Sequence, residues 1–373
     1  MTPLASSDSA PGASGAPAFA TRRVPLLVLG AVGLATGLWT GLQRMGALPA
    51  VERPSALAHG PLMVSGFLGV VIALERAVAG RSAWGYAGPV LCGAGVVLLA
   101  AGAPQPAGWA LLGGSAVVVA LLVSLVVRLP ALHHAVLAAA AVTWLVGNAL
   151  LVAGRPVLDA VFPWLVLLVG TIAGERLELT RVLPRPRGAV TAFVVAAGAV
   201  FVGGLVGAFA RDVGVRLFST GALALAVWLF RFDVARRTVR QVGLVRFIAV
   251  ALLSGYAWLA IGGVLGLAFG HPLAGPRYDA LLHALFVGFV FSMIFGHAPI
   301  ILPAVLGVRL PFRPRFYAHL ALLHLGLVLR TAGDLTGEEV LRRAGSWGNV
   351  AAIVLFLASS ALAAGRRTDT GAG

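Results

Sequence analysis

The chain has 373 residues, of which 59% are hydrophobic and 11% are charged, and its formal net charge at pH 7 is +15. Soluble globular proteins carry about 25% charged residues. This composition, with a mean hydropathy of +0.96, excludes a soluble protein and indicates an all-α polytopic membrane bundle whose first partner is the lipid bilayer. The basic residues are all arginines, as expected for helix ends and short loops, and they do not suggest a nucleic-acid partner.

The chain divides into one membrane domain with two short tails. Residues 1–22 are rich in Ala, Ser, Gly and Pro and are expected to be disordered. A span needs about 20 apolar residues, and this length predicts about twelve helices between 23 and 366, followed by a tail at 367–373. The predicted spans lie near 24–43, 58–78, 83–102, 107–128, 132–153, 157–178, 189–210, 214–231, 245–269, 278–298, 316–333 and 346–364.

The arginines predict the orientation of the chain. An even number of spans places both termini on one side, and most of the arginines fall in the segments on that side. Because cytoplasmic loops are enriched in basic residues, we expect a protein of the bacterial inner membrane with both termini in the cytoplasm.

A weak internal repeat is visible at the ends of three predicted helices. The second helix ends with Glu75-Arg76 and the sixth with Glu175-Arg176, while Gly296-His297 occupies that place in the tenth. The pattern suggests a threefold pseudo-repeat of four helices each, in which helices 2, 6 and 10 are equivalent.

The second and tenth helices also begin alike, each with a histidine followed by a Gly-Phe pair. His59 precedes Gly66-Phe67, and His283 precedes Gly288-Phe289. Ionisable residues within a span are costly and usually functional. On the predicted topology both helices run inward, so both histidines are expected near the outer face.

Two imidazoles at one depth on separate helices are typical ligands of a haem iron, and small neighbouring residues would leave room for a flat macrocycle. We therefore predict that His59 and His283 bind haem. The alternatives are that His59 is an interfacial histidine and His283 a hydrogen-bonded bundle histidine, or that the pair binds copper. Asp279 lies four residues before His283, where it can orient that imidazole, although capping of the helix explains it equally well.

His297 cannot share a metal with His283, because the fourteen residues between them span about 21 Å along a helix. It belongs near the cytoplasmic face, where it could meet His319 at the start of helix 11 and form a second metal site. A proton-handling or structural role is the alternative. Pro299 and Pro303 follow His297, and we interpret them as the end of helix 10.

The twelve-span layout over about 24–365, the run HGPLMVSGF at His59 and the run LHALFVGF at His283 resemble the NnrS family. These are haem- and copper-containing bacterial membrane proteins linked to nitric oxide and nitrosative stress. The family is similar in helix count to the catalytic subunits of haem-copper oxidases. The resemblance implies a b-type haem on His59 and His283, with an electron donor or another membrane subunit as partner.

The chain departs from the oxidases in its copper ligands. Helix 10 has no second histidine two residues from His283, and the predicted helices 6 and 7 contain none. Oxygen- or NO-reducing activity of the haem-copper type is therefore doubtful. The competing hypotheses are a cofactor-free transporter or channel, with His283, His297 and His324 along a polar path, and an assembly partner of another membrane complex.

Overall fold

The computed structural model describes residues 23–49, 55–182, 186, 188–272 and 274–364. The expected tails at 1–22 and 367–373 lie outside these residues. Twelve long helices follow one another in the described chain. Their bounds are α1 Val24–Arg44, α2 Ala56–Ala79, α3 Trp84–Ala100, α4 Pro104–Arg128, α5 Leu132–Val152, α6 Val157–Leu179, α7 Ala189–Val206, α8 Arg211–Phe232, α9 Gly243–Phe269, α10 Pro276–Leu306, α11 Phe316–Thr336 and α12 Glu339–Ala363.

The all-α polytopic bundle expected from the composition is confirmed. Ten of the helices in the described residues are long and apolar enough to cross a membrane. Of the other two, α3 is apolar but shorter, and α11 carries two histidines, Arg330 and Asp334. In lipid the backbone N–H and C=O groups must be bonded within the protein, and helices of this kind satisfy that requirement.

The helices α2, α6 and α10 form the centre of the bundle, where each contacts the other two. Within their apolar windows, 78% of the residues of α6 and 67% of those of α10 are buried, against 33% for α1 and α4. Since successive helices alternate in direction, these three run the same way. We call the end where they begin the pocket end, and the end where they finish the opposite end.

Small residues allow neighbouring helices to approach closely, as is usual in membrane bundles. In the hairpin of α11 and α12, a Cβ added at Gly345 would overlap the backbone nitrogen of Arg330. Any larger side chain at Gly345 would force the two helices apart. The hairpin therefore fixes the position of Arg330 relative to the centre.

One boundary was predicted wrongly. The interpretation of Pro299 and Pro303 as the end of α10 is incorrect, because both lie inside the helix, which continues to Leu306. The helix ends at Gly307, whose φ of +69° is left-handed and whose N–H donates to the carbonyl of Pro303. Proline is tolerated in a membrane helix where neighbouring groups satisfy the released backbone.

Candidate functional site

His59 and His283 lie close together at the pocket end. Their ring centres are 6.4 Å apart and their ring planes differ by 20°. His59 begins the α-helical part of α2, and His283 follows the first two turns of α10. The fold thus brings together the two histidines that the matching helix starts predict as a pair.

The His59 imidazole is held against the backbone of α1. Its Nδ1 donates a hydrogen bond to the carbonyl oxygen of Gly37 at 2.7 Å. The ring lies over Gly41, where an added Cβ would be 2.9 Å from two of its atoms. Because Gly37 and Gly41 are one helical turn apart, α1 offers a carbonyl and a flat surface to the same ring.

The His283 imidazole is held by its own helix and by a carboxylate. Its Nδ1 lies 2.9 Å from the carbonyl oxygen of Asp279 and 3.2 Å from the Oδ1 of the same residue. Asp279 in turn accepts two hydrogen bonds from Arg330 of α11, from Nε to Oδ2 at 2.6 Å and from a terminal nitrogen to Oδ1 at 2.8 Å. His283, Asp279 and Arg330 therefore form one polar chain.

The two imidazole rings form their hydrogen bonds through the same nitrogen. Nδ1 is the hydrogen-bonded atom in each, and Nε2 of neither ring has a hydrogen-bond partner among the described residues. A metal-bound histidine usually donates its other N–H to a carbonyl or carboxylate. A metal with imidazole nitrogens about 2 Å away on either side would place the ring centres roughly 6 Å apart. Because offset aromatic pairs also reach this spacing, the feature that indicates metal binding is the pair of free Nε2 atoms.

A cavity of about 240 Å³ opens beside the two rings, and we call it the histidine pocket. Residues of α1, α2, α6, α10, α11 and α12 line it, with mostly apolar walls and the arginines Arg44, Arg330 and Arg342 at the pocket end. Typical ligand pockets measure about 300–1,000 Å³. A haem is larger than this cavity, so binding it requires flexible wall side chains, Met63 among them, to move apart.

Each histidine is followed by a π-helical stretch, Leu62–Leu68 after His59 and Ala284–Phe291 after His283. π-helical turns are rare and are frequent at functional sites. The Gly-Phe pairs that made the two helices look alike lie inside these stretches. The likeness of α2 and α10 therefore extends from sequence to backbone geometry.

The positions of the weak repeat meet at the opposite end. Arg76 of α2 is bonded to Glu175 of α6, and Arg176 of α6 donates to Nε2 of His297 at 3.0 Å. The Nδ1 of His297 donates to the carbonyl of Met293 at 2.7 Å. Both nitrogens of His297 are thus occupied by protein atoms.

His319 and His324 have different neighbouring residues from His297. Nδ1 of His319 is 3.2 Å from the hydroxyl of Ser359 in α12, and its ring contacts Phe295 and three other phenyl rings. His324 accepts from the Trp258 indole at 3.1 Å and lies 2.8 Å from the Ser254 hydroxyl. No group of three or more metal-ligating residues occurs in the part of the chain described, and a site of His297 with His319 stays a prediction.

The start of α6 repeats one part of the pocket without its histidine. Asp159 is buried and pairs with Arg155 at 2.8 Å and with Arg211 at 2.6 Å. Asp159 precedes Pro163 by four residues, just as Asp279 precedes His283. An arginine-paired carboxylate is therefore common to the starts of α6 and α10, whereas the imidazole is confined to α10.

Two titratable groups outside the spans complete the electrostatics. His271, between α9 and α10, has both ring nitrogens buried without a partner among the described residues, and burial lowers its pKa. Asp233, after α8 at the opposite end, accepts from the backbone N–H of Ala235 at 2.7 Å. Burial raises the pKa of the Asp233 carboxyl.

A family match covers the whole bundle. The model of the domain of unknown function DUF8744 matches residues 23–365. The chain belongs to this family. No curated protein and no solved structure matches it. What a member of DUF8744 does has therefore to be inferred from the geometry of its own side chains.

Sequence reasoning missed the arginines of the pocket and the glycines beneath His59. Arg330 could have been found, because an ionisable residue within a predicted span is itself a signal of function. Gly37 and Gly41 carry the four-residue spacing of small residues that marks close helix contacts. Arg44 and Arg342 lie near helix ends, where arginine is ordinary, so no pattern in the sequence marks them.

Proposed function

We propose that this DUF8744 protein binds a b-type haem at the histidine pocket, where His59 and His283 would hold it. The observation that carries the proposal is the pair of imidazoles whose Nδ1 atoms are anchored and whose Nε2 atoms are free, 6.4 Å apart between ring centres. A haem bound there would supply one-electron redox chemistry or binding of a diatomic gas. The protein residues hold, orient and enclose it.

The donor set and charges of the pocket suit a haem. Its walls are largely apolar, as a macrocycle requires, and its polar groups converge at one end. There Arg44 and Arg342 can pair with the carboxylates that an amphiphilic tetrapyrrole carries, because guanidinium groups bind carboxylates strongly. The charge of Asp279, which also lines the pocket, is already compensated by Arg330.

We infer electron transfer or nitric oxide tolerance as the role of this haem. The inference follows the resemblance to the NnrS family in the runs around His59 and His283. It includes a location in the bacterial inner membrane, with both termini in the cytoplasm and the histidine pocket towards the outer face. An electron donor or a further membrane subunit would be the partner. Copper bound by the same two histidines is the alternative metal.

The test is the absorption spectrum and metal content of the purified protein. We expect a Soret band in the wild type, about one iron per chain, and loss of the band in a His59→Ala, His283→Ala double variant. A wild type without a Soret band, or a double variant that keeps it, would contradict the proposal. Copper in place of iron would assign the pocket to copper. A colourless protein that moves a solute into proteoliposomes would favour the transporter hypothesis.

A further inference from the structure

The two histidines of the pocket differ in what holds their Nδ1 atoms. Among the described residues, His59 donates only to an uncharged backbone carbonyl, that of Gly37. His283 faces, besides a carbonyl, the carboxylate of Asp279, with Oδ1 3.2 Å from its Nδ1. A carboxylate partner makes an imidazole a stronger electron donor than a carbonyl does. Of the two histidines, His283 is therefore the one whose Nδ1 has a charged partner.

Arg330 binds the carboxylate of Asp279. Its guanidinium binds both oxygens of Asp279, at 2.6 and 2.8 Å, in the paired geometry that fixes a carboxylate in place. The side chains are 10% exposed for Arg330 and 20% for Asp279. Because solvent screens such a pair only weakly, both charges act on anything held by His283.

Other charged groups surround the pair but do not replace it. Arg44 and Arg342 line the same pocket, and Arg342 is paired with Glu339 at 2.6 Å. Asp334, four residues after Arg330, is buried, and its carboxyl oxygens have no hydrogen-bond partner among the described residues. These residues are kept unchanged while Asp279 and Arg330 are varied.

We propose that Arg330 is a positioning residue that, by holding Asp279 and compensating its charge, sets the reduction potential of the haem at His283. This inference rests on the proposed function. An oxidised haem carries one more positive charge than a reduced one. A neighbouring cation therefore raises the potential, and a neighbouring anion lowers it. In the wild type the two effects largely cancel.

The experiment is a spectroscopic redox titration of the haem-loaded protein. We expect Asp279→Asn, which leaves Arg330 uncompensated, to raise the midpoint potential, and Arg330→Gln, which leaves Asp279 uncompensated, to lower it. The double variant should return close to the wild-type potential. Arg330→Lys keeps the charge and should stay nearer to the wild type than Arg330→Gln does.

The start of α6 provides a matched control. Asp159→Asn and Arg211→Gln break an arginine–carboxylate pair four residues before Pro163 instead of before a histidine, although Arg155 also pairs with Asp159. Both residues lie outside the lining of the histidine pocket. We expect them to lower stability without moving the midpoint potential.

The outcomes separate the two proposals. A wild type without a Soret band overturns the proposed function and this inference together. A loaded wild type whose Asp279→Asn and Arg330→Gln variants keep their potential, shift it in the same direction, or shift it no more than the α6 variants do, overturns this inference alone. If Arg330→Gln does not fold, Asp279→Asn decides, since an unchanged potential there contradicts the role of the pair.

Discussion

The two ends of α10 hold the same side chain in the same way and leave it in opposite states. His283 and His297 both donate through Nδ1 to the carbonyl four residues earlier, at 2.9 and 2.7 Å. At His297 the remaining nitrogen is taken by Arg176, at 3.0 Å. At His283 it faces a cavity. The comparison teaches that the role of a histidine in a span depends on the partner of its second ring nitrogen. The residues around the histidine in the sequence do not reveal that partner.

The largest expected effect separates the two histidines directly. His283→Ala should abolish the Soret band, because it removes a free imidazole nitrogen from the pocket. His297→Ala should retain it, since its nitrogens are already bonded within the protein. The measurement is the ratio of Soret to protein absorbance after purification with added haem. Equal loss of the Soret band in both variants would contradict the expected difference between His283 and His297.

Loss of the Arg176–His297 hydrogen bond at the opposite end should lower stability and leave haem binding unchanged. Arg176→Met removes the partner of the His297 Nε2 atom and leaves a buried acceptor unpaired, a change worth about 1–3 kcal/mol. Thermal unfolding in detergent should show the decrease in the melting temperature at unchanged haem content. Arg128→Gln, at an exposed arginine whose hydrogen bonds within the described residues go to Ser124 of its own helix, is the control and should unfold as the wild type does.

A smaller effect is expected from the surface on which His59 rests. Gly41→Ala places a Cβ 2.9 Å from the ring, so the imidazole must shift away from Gly37. We expect haem affinity to fall about tenfold, equivalent to about 1.4 kcal/mol. Gly198→Ala is the matched control, because a Cβ there meets nothing within 4 Å. Equal affinity in the two variants would show that the position of His59 does not matter.

The smallest effect is a pH dependence with opposite signs at the two ends. His271, near the pocket, is favoured as the neutral ring by a pKa below the usual 6.5. The unfolded chain therefore binds more protons, and stability is lost as the pH falls through about 6.5. Asp233, at the opposite end, has a pKa above 3.8, so its contribution is lost as the pH rises from that value.

The measurement is the melting temperature as a function of pH. His271→Gln should flatten the acid side of the profile between about pH 7 and 5. Asp233→Asn should change the profile only above about pH 4, where the unfolded carboxyl ionises before the folded one. A His271→Gln profile that is parallel to the wild type throughout would contradict the burial of that ring.

Much of the fold follows from the sequence, because crossing a membrane leaves few solutions. Apolar length predicts the helices, and the matching starts of α2 and α10 predict the His59–His283 pair. The error at Pro299 and Pro303 arises because the contacts of neighbouring helices decide whether a helix continues through proline. The site of His297 with His319 stays a prediction, because it depends on helix faces that the order of the helices along the chain does not give.

The pocket's electrostatics lie beyond the sequence for a similar reason. Asp279 is visible as a partner of His283 because both lie on one helix, four residues apart. Arg330 is 51 residues away along the chain, and only the packing of α11 against α10 brings it to that carboxylate. A span with a charged residue predicts that a partner exists, without saying which helix supplies it.

The π-helical stretches have a consequence for how the family can change length. Their hydrogen bonds run from residue i to i+5, so each hydrogen-bonded turn contains one residue more than a turn of α-helix. Deleting one residue within Leu62–Leu68 or Ala284–Phe291 can be absorbed by a return to α-helical bonding, with both ends kept in phase. The same deletion in the middle of α6 would rotate everything beyond it by about 100°. Single-residue deletions should therefore be tolerated in the two histidine helices and excluded from the helix that lacks a histidine.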